Sequence, residues 1–225
     1  GFIDAALPAG YAPFGIQALV VQNQTLIYVT YAKQDTGAHG PVGGAGLGLV
    51  DVFDTQGTLK SHLIATGGAL NAPWGMALAP SAFGSSSNML LIGNFGDGWI
   101  NAYDPMSGAF VAALSDASGA AIAIPGLWGI AFGNGASSQP TTTLFFTAGP
   151  NGETNGLYGR IDLGATAPDV IAPTARLTAP AQGATVSGTV TVTATASDNV
   201  GVTAVKFFAG TTQIGMASAA PFSIS

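Results

Sequence analysis

The chain of 225 residues holds 5 Lys and Arg against 11 Asp and Glu, for a net charge of −6, and it is 48% hydrophobic but only 7% charged. Phosphate backbones are bound by clustered Lys and Arg, so this composition argues against a nucleic-acid partner. No cysteine is present, which removes disulfides and thiolate metal sites, and no apolar run reaches the roughly 20 residues that span a bilayer.

In chain order, residues 1–163 fall into three blocks. The first is predicted to form strands at 15–19, 26–30 and 48–54, a turn at 55–57 and a fourth strand at 59–65. Their β-branched and aromatic residues carry this reading. The second block offers strands at 75–78, 89–93, 99–104 and 109–114. The third offers 129–132, 144–147 and 157–162. None sustains a helical period. Asp54, Asp104 and Asp162 fall where third strands end and read as turn caps, because Asp side chains bond their own downstream backbone.

Each block opens on one phrase: Pro13-Phe14-Gly15-Ile16, Pro73-Trp74-Gly75-Met76 and Leu127-Trp128-Gly129-Ile130. The three glycines are separated by 60 and then 54 residues. Four short antiparallel strands per repeat at this period predict stacked β-sheet modules, above all propeller blades. The expected fold is therefore all-β: about three four-stranded blades of a six-bladed ring, over residues 1–163. Phe14, Trp74 and Trp128 are expected to pack between blades. Trp99 falls outside that pattern and is expected to be more exposed.

From residue 164 the composition changes. Residues 164–173 read as a Pro/Ala linker. Apolar and Thr residues then alternate over 174–178, 188–196 and 202–208, which predicts a β-sandwich over 174–225. Its length of about 52 residues is roughly half that of an immunoglobulin-like domain. The sandwich and the ring are both expected to be truncated here, and a partial ring with bare sheet faces is expected to aggregate on its own.

Several phrases carry a resemblance. Leu7-Pro8-Ala9-Gly10-Tyr11-Ala12-Pro13-Phe14-Gly15-Ile16-Gln17, Tyr28-Val29-Thr30-Tyr31-Ala32-Lys33-Gln34-Asp35, Gly93-Asn94-Phe95-Gly96-Asp97-Gly98 and Phe146-Thr147-Ala148-Gly149-Pro150-Asn151-Gly152-Glu153 resemble an uncharacterised family of secreted bacterial β-propellers, often found with PEP-CTERM sorting tails. More loosely, the blade phrase is similar to NHL-type repeats. Ala172-Pro173-Thr174, Pro180-Ala181-Gln182-Gly183-Ala184-Thr185-Val186-Ser187-Gly188 and Ala196-Ser197-Asp198-Asn199-Val200-Gly201-Val202 resemble a bacterial immunoglobulin-like domain. The resemblance implies an extracellular or cell-surface location and supplies no catalytic residues.

In propellers the loops between second and third strands line one rim. Here those loops span 33–47, 94–98 and 149–155, and they offer Asp35, His39, Asn94, Asp97, Asn151, Glu153 and Asn155 as candidate ligand-binding residues. Oxygen-rich sets of this kind suit Ca²⁺ or sugar hydroxyls. The same residues are common turn formers, and that reading stands beside the first. His39 lies in a Gly-rich loop and is either solvated or part of a lid. His62 is expected on the surface of an outer strand. Asp198 and Asn199 suggest either a Ca²⁺ ligand or a turn. The Gly43–Gly48 run precedes a strand and lacks the Gly-Lys-Ser/Thr of a phosphate loop, and neither a His-Glu-x-x-His nor a Gly-x-Ser-x-Gly motif is present.

No catalytic residue is assigned and no cofactor is required, Ca²⁺ being the one candidate ion. The expected function is a non-catalytic secreted or surface protein. Its propeller would bind extracellular glycan or protein, and the immunoglobulin-like module would act as spacer. The alternative is a divalent-metal-dependent hydrolase or lactonase resting on Asn94, Asp97 and Glu153. A purely structural matrix role is the third.

Overall fold

The phrase that opens each block forms the first strand of an antiparallel meander. In this computed structural model, which describes residues 1–163, 172–198 and 201–225, the first meander is β1 (Tyr11–Val21), β2 (Gln24–Lys33), β3 (Gly48–Phe53) and β4 (Leu59–Ile64). The second is β5 (Pro73–Leu78), β6 (Leu90–Asn94), β7 (Ile100–Tyr103) and β8 (Phe110–Ala113). The third has three strands, β9 (Leu127–Phe132), β10 (Leu144–Ala148) and β11 (Leu157–Ile161). The expected strand pattern is present in all three. β1 and β2 run longer than expected because Gln22 and Asn23 both take positive φ, at 49° and 62°, and make a two-residue hairpin turn. Such a turn matches the strand twist, so the ladder continues to its very end.

Side-chain alternation assigns each strand's two faces. Val50 and Val52 of β3 join Leu90 and Ile92 of β6 in a core between the first two sheets. Leu91 and Ile100 point the other way and meet Leu127 and Leu144 of the third sheet. The second sheet is thus buried on both faces, and β6 is apolar throughout except for Asn94. Leu49 and Phe53, on the remaining face of the first sheet, pack with Val29 and Tyr31 under Leu7 of the N-terminal segment and Tyr11 at the start of β1.

Glycine in the repeated phrase has a steric cause. A Cβ on Gly15 would collide with the Trp74 carbonyl, and one on Gly75 would lie 2.7 Å from both the Trp128 carbonyl oxygen and the Ile130 nitrogen. The first strands of successive sheets approach too closely for any side chain. Thr30 Oγ1 donates to the same Trp74 carbonyl at 3.1 Å, tying the first sheet to the second. No closed ring of sheets is found among the described residues.

Residues Gly1–Gly164 and Ala165–Ser225 form two compact units. Of the expected linker at 164–173, residues 164–171 lie outside the described residues. The second unit has a three-stranded sheet of β12 (Thr174–Ala179), β13 (Val192–Ser197) and β16 (Phe222–Ile224), and a hairpin of β14 (Val205–Ala209) and β15 (Thr212–Ala217). β16 falls at 222–225, which reads as a strand in the sequence, whereas β15 was not expected from it. Among the described residues, the one helical element is a 3₁₀ turn at Gly84–Ser86, and no helix is long and apolar enough to cross a membrane.

Candidate functional site

Three segments meet at one end of the first two sheets: the β2–β3 loop, the β4–β5 connection and the β6–β7 loop. Asn71, in the β4–β5 connection, joins them. Its Oδ1 accepts the Gly44 amide at 2.6 Å, its Nδ2 donates to Asp97 Oδ2 at 3.0 Å, and its backbone N–H donates to Asn94 Oδ1 at 3.1 Å. Asn94 Nδ2 donates to the Ala69 carbonyl at 2.9 Å and to Asp97 Oδ2 at 3.3 Å. Asp97 Oδ1 accepts the Trp99 amide at 3.0 Å. The structure therefore brings Asn94 and Asp97 together, and it spends their polar atoms on holding loops. Asn71 was missed from the sequence because it belongs to no motif.

Asp35 and His39 occupy a tight hairpin tip. Asp35 Oδ1 accepts the His39 amide at 2.9 Å, and Gln34 bridges Pro41 across the base. His39 is exposed. The glycines that follow are pinned as well, Gly44 by Asn71 and Gly46 by the Leu70 carbonyl at 2.8 Å. This bonding favours a fixed hairpin over a mobile lid. A shallow cavity of about 130 Å³ separates His39 from Phe14.

Phe14 continues inward to an aromatic cluster. Its ring lies 4.5 Å from Trp74, and Phe95 sits edge-on to both at 6.2 and 6.0 Å. All three residues are half-buried. Phe14 and Trp74 pack across the first and second sheets as expected. Phe95 was not singled out in the sequence.

On the third sheet, Glu153 Oε1 accepts the Trp128 indole N–H at 2.8 Å, and Asn151 Nδ2 donates to Asn155 Oδ1 at 3.0 Å. Asn151 and Glu153 both hold positive φ, at 58° and 64°, as loop-forming residues. The hydrogen bonds thus divide the candidates into three local groups: Asp35 with His39, Asn94 with Asp97, and Asn151 with Asn155, Glu153 standing apart on Trp128.

The three expected turn caps differ in their partners. Asp54 Oδ1 accepts the amides of Gln56 and Thr58, and Asp104 Oδ1 accepts those of Met106 and Ser107. These bonds, led by the Thr58 amide for Asp54 and the Ser107 amide for Asp104, hold both carboxyls below their ordinary pKa. Asp162 behaves differently: it accepts the Thr143 hydroxyl at 2.6 Å and pairs with Arg160 Nε at 3.0 Å. Asp198 Oδ1 accepts the Gly201 amide at 3.1 Å, and Asn199 lies outside the described residues. Trp99 is 42% exposed, in line with its departure from the repeat.

His62 is half-exposed, but it is bound to the interior. Its Nδ1 sits 2.9 Å from Oδ1 of Asp51, a fully buried carboxylate on β3. Asp51 and His62 are direct cross-strand partners of the β3–β4 hairpin, in a register shifted by a bulge between Val52 and Phe53. Burial raises the Asp51 pKa despite the His62 bond, and that bond raises the pKa of His62. The Tyr31 phenol beside them is pushed up to about 12, by burial first and then by the Asp51 and Asp4 charges.

Residues 173–225 match the bacterial Ig domain family, so the second unit is an immunoglobulin-like module. The first unit supplies most of the remaining similarity. Three uncharacterised proteins of Acanthamoeba polyphaga mimivirus match at 33% identity over 156 residues, 32% over 152 and 31% over 156. The alignments cover 69%, 67% and 69% of this chain but 36%, 27% and 39% of those viral proteins. The chain thus spans between about a quarter and two fifths of the length of the relatives it matches. No solved structure gives a significant match.

Proposed function

We propose that residues 1–163 are an arc of a β-propeller, similar to NHL-type repeats, that serves as a non-catalytic binding scaffold on a secreted or cell-surface protein. The immunoglobulin-like module then acts as its spacer. Support for the ring comes from the close approach at Gly15 and Gly75, which repeats one sheet-to-sheet step twice. Radial repetition of such a step is how propellers are built.

The observation that carries the binding reading is the half-buried trio Phe14, Trp74 and Phe95 beside the exposed His39 and Asp35 hairpin. Aromatic faces with a few convergent polar groups suit sugar rings or apolar protein side chains. The polar groups of Asn71, Asn94 and Asp97 are spent on one another, which favours a scaffold over an acid–base centre. A glycan array, run with and without Ca²⁺, tests this. Binding of one glycan class, weakened by Phe95→Ala and by His39→Ala, supports the reading. Turnover of lactones or esters that depends on a divalent ion and on Asp97 would replace it with the hydrolase alternative.

A further inference from the structure

Behind the first sheet lies a second constellation that the binding scaffold does not use. Asp4, Asp51 and His62 each present one donor atom, and these atoms lie within 4.8 Å of one another. Among the described residues they are the one group of three His, Asp or Glu side chains so arranged. His62 Nδ1 stands 2.9 Å from Asp51 Oδ1 and 3.8 Å from Asp4 Oδ2. Ligands held about 2.0–2.2 Å from a tetrahedral ion sit roughly 3.4 Å apart, a spacing that the two His62 distances of 2.9 and 3.8 Å bracket.

Burial sharpens the case. The Asp51 side chain is 0% exposed and that of Asp4 only 3%, while His62, at 53%, is the one cationic partner they have among the described residues. Two buried carboxylates against one half-exposed imidazole leave uncompensated negative charge, which is costly in the interior. Asp51 Oδ2 is buried and makes no hydrogen bond of good geometry, the Tyr31 phenol lying beside the carboxylate. A buried acceptor so weakly paired favours a ligand. Asp4 is also held in place: its Oδ1 accepts the Ala6 amide at 2.8 Å, leaving Oδ2 turned to His62. Beside the trio runs a cavity of about 200 Å³ lined by Ala6, Pro8, Leu49, Ile64 and Thr66, room enough for an exchangeable ligand.

We propose that Asp4, Asp51 and His62 form a divalent transition-metal site of the zinc class. Two carboxylate oxygens and one imidazole nitrogen are a borderline donor set, which suits Zn²⁺ or Co²⁺ better than the all-oxygen shell that Ca²⁺ prefers. Three protein ligands leave a fourth position facing the cavity, the arrangement of an open rather than a closed zinc site. The ion would also clamp the N-terminal segment onto β3 and β4. The site stands on β3, β4 and the N-terminal segment, and the binding proposal above does not depend on it.

Titration calorimetry of the whole chain with Zn²⁺, and absorption spectra with Co²⁺, test the proposal. One ion per chain is expected, with Co²⁺ bands of a low-coordinate nitrogen–oxygen site and a raised melting temperature. Asp51→Asn keeps the side-chain shape and is expected to weaken Zn²⁺ by at least about tenfold, the order seen even for outer-shell changes. His62→Gln, at a half-exposed position that folds readily, removes the Co²⁺ spectrum. His39→Gln, which deletes the other histidine, leaves it. Absence of saturable Zn²⁺ binding overturns the proposal. So does a spectrum that survives His62→Gln, or tighter binding of Ca²⁺ than of Zn²⁺.

Discussion

At the scale of single residues, glycine and asparagine do the most specific work. Gly75 sits where two backbones nearly touch, so Gly75→Ala forces them apart or strains the strand. Overpacking of this kind costs about 1–3 kcal/mol. Gly129 occupies the same place in the repeat, yet the nearest atom to a Cβ there is Thr147 Oγ1 at 3.3 Å. Gly129→Ala is therefore expected to be nearly neutral. Urea unfolding of the two variants checks the contrast, and equal losses would disprove it. Asn94 is fully buried and bonds the Ala69 carbonyl, the Asn71 amide and Asp97. Asn94→Ala leaves buried partners unpaired and is expected to cost about 1–3 kcal/mol, measured in the same assay. Which residues would matter was only partly legible. The repeated phrase announced Gly15, Gly75, Phe14 and Trp74 by recurrence. Asn71 recurs nowhere and touches its partners across 27 and 26 positions of sequence, a relation no local pattern carries. The Asp51–His62 pair was not legible, because bulges shift the β3–β4 register, and nothing in the repeat points to Asp4.

At the scale of elements, the strands were legible because their apolar runs are long and their turns carry Asp and Gly. Gln22-Asn23 lacks glycine, so the first hairpin was read short. The Asp turns yield a prediction of their own. Asp54, Asp104 and Asp116 all have folded pKa values below the model-peptide 3.8, each from amide or hydroxyl bonds made in the turn. A depressed carboxyl stabilises the fold above its unfolded pKa and loses that contribution as pH falls through the folded value. The melting temperature should therefore drop as pH falls below about 4. In the triple variant Asp54→Asn, Asp104→Asn and Asp116→Asn that part of the drop should shrink. Asp51 works in the opposite sense, since its folded pKa is raised and protonation relieves its burial. It is present in both proteins and cancels in the comparison. Identical acid profiles for the two would show that the turn caps carry no acid-sensitive stability.

At the scale of the whole molecule, the two units are unequal in what holds them. The first contains three clusters of buried apolar side chains, and its second sheet is covered on both faces. In the second unit, Phe207 and Phe222 are the buried hydrophobic residues among those described, while Leu177, Val186, Phe208, Ile214 and Met216 remain exposed. A core of that size leaves little net stability once chain entropy is subtracted. Units with separate cores need not unfold together, so a single two-state transition is not expected. Calorimetry of the full chain should resolve two transitions, with the smaller at the lower temperature. Hydrogen exchange assigns them: amides of β12 to β16 should exchange before those of β5 to β7, because local opening follows buried apolar contact. If the proposed metal site forms, Zn²⁺ should raise only the upper transition, since Asp4, Asp51 and His62 all belong to the first unit. A ligand that binds only the folded state stabilises the unit that holds it. A lone transition, with both sets of amides exchanging at one rate, would mean that the immunoglobulin-like module draws its stability from the larger unit.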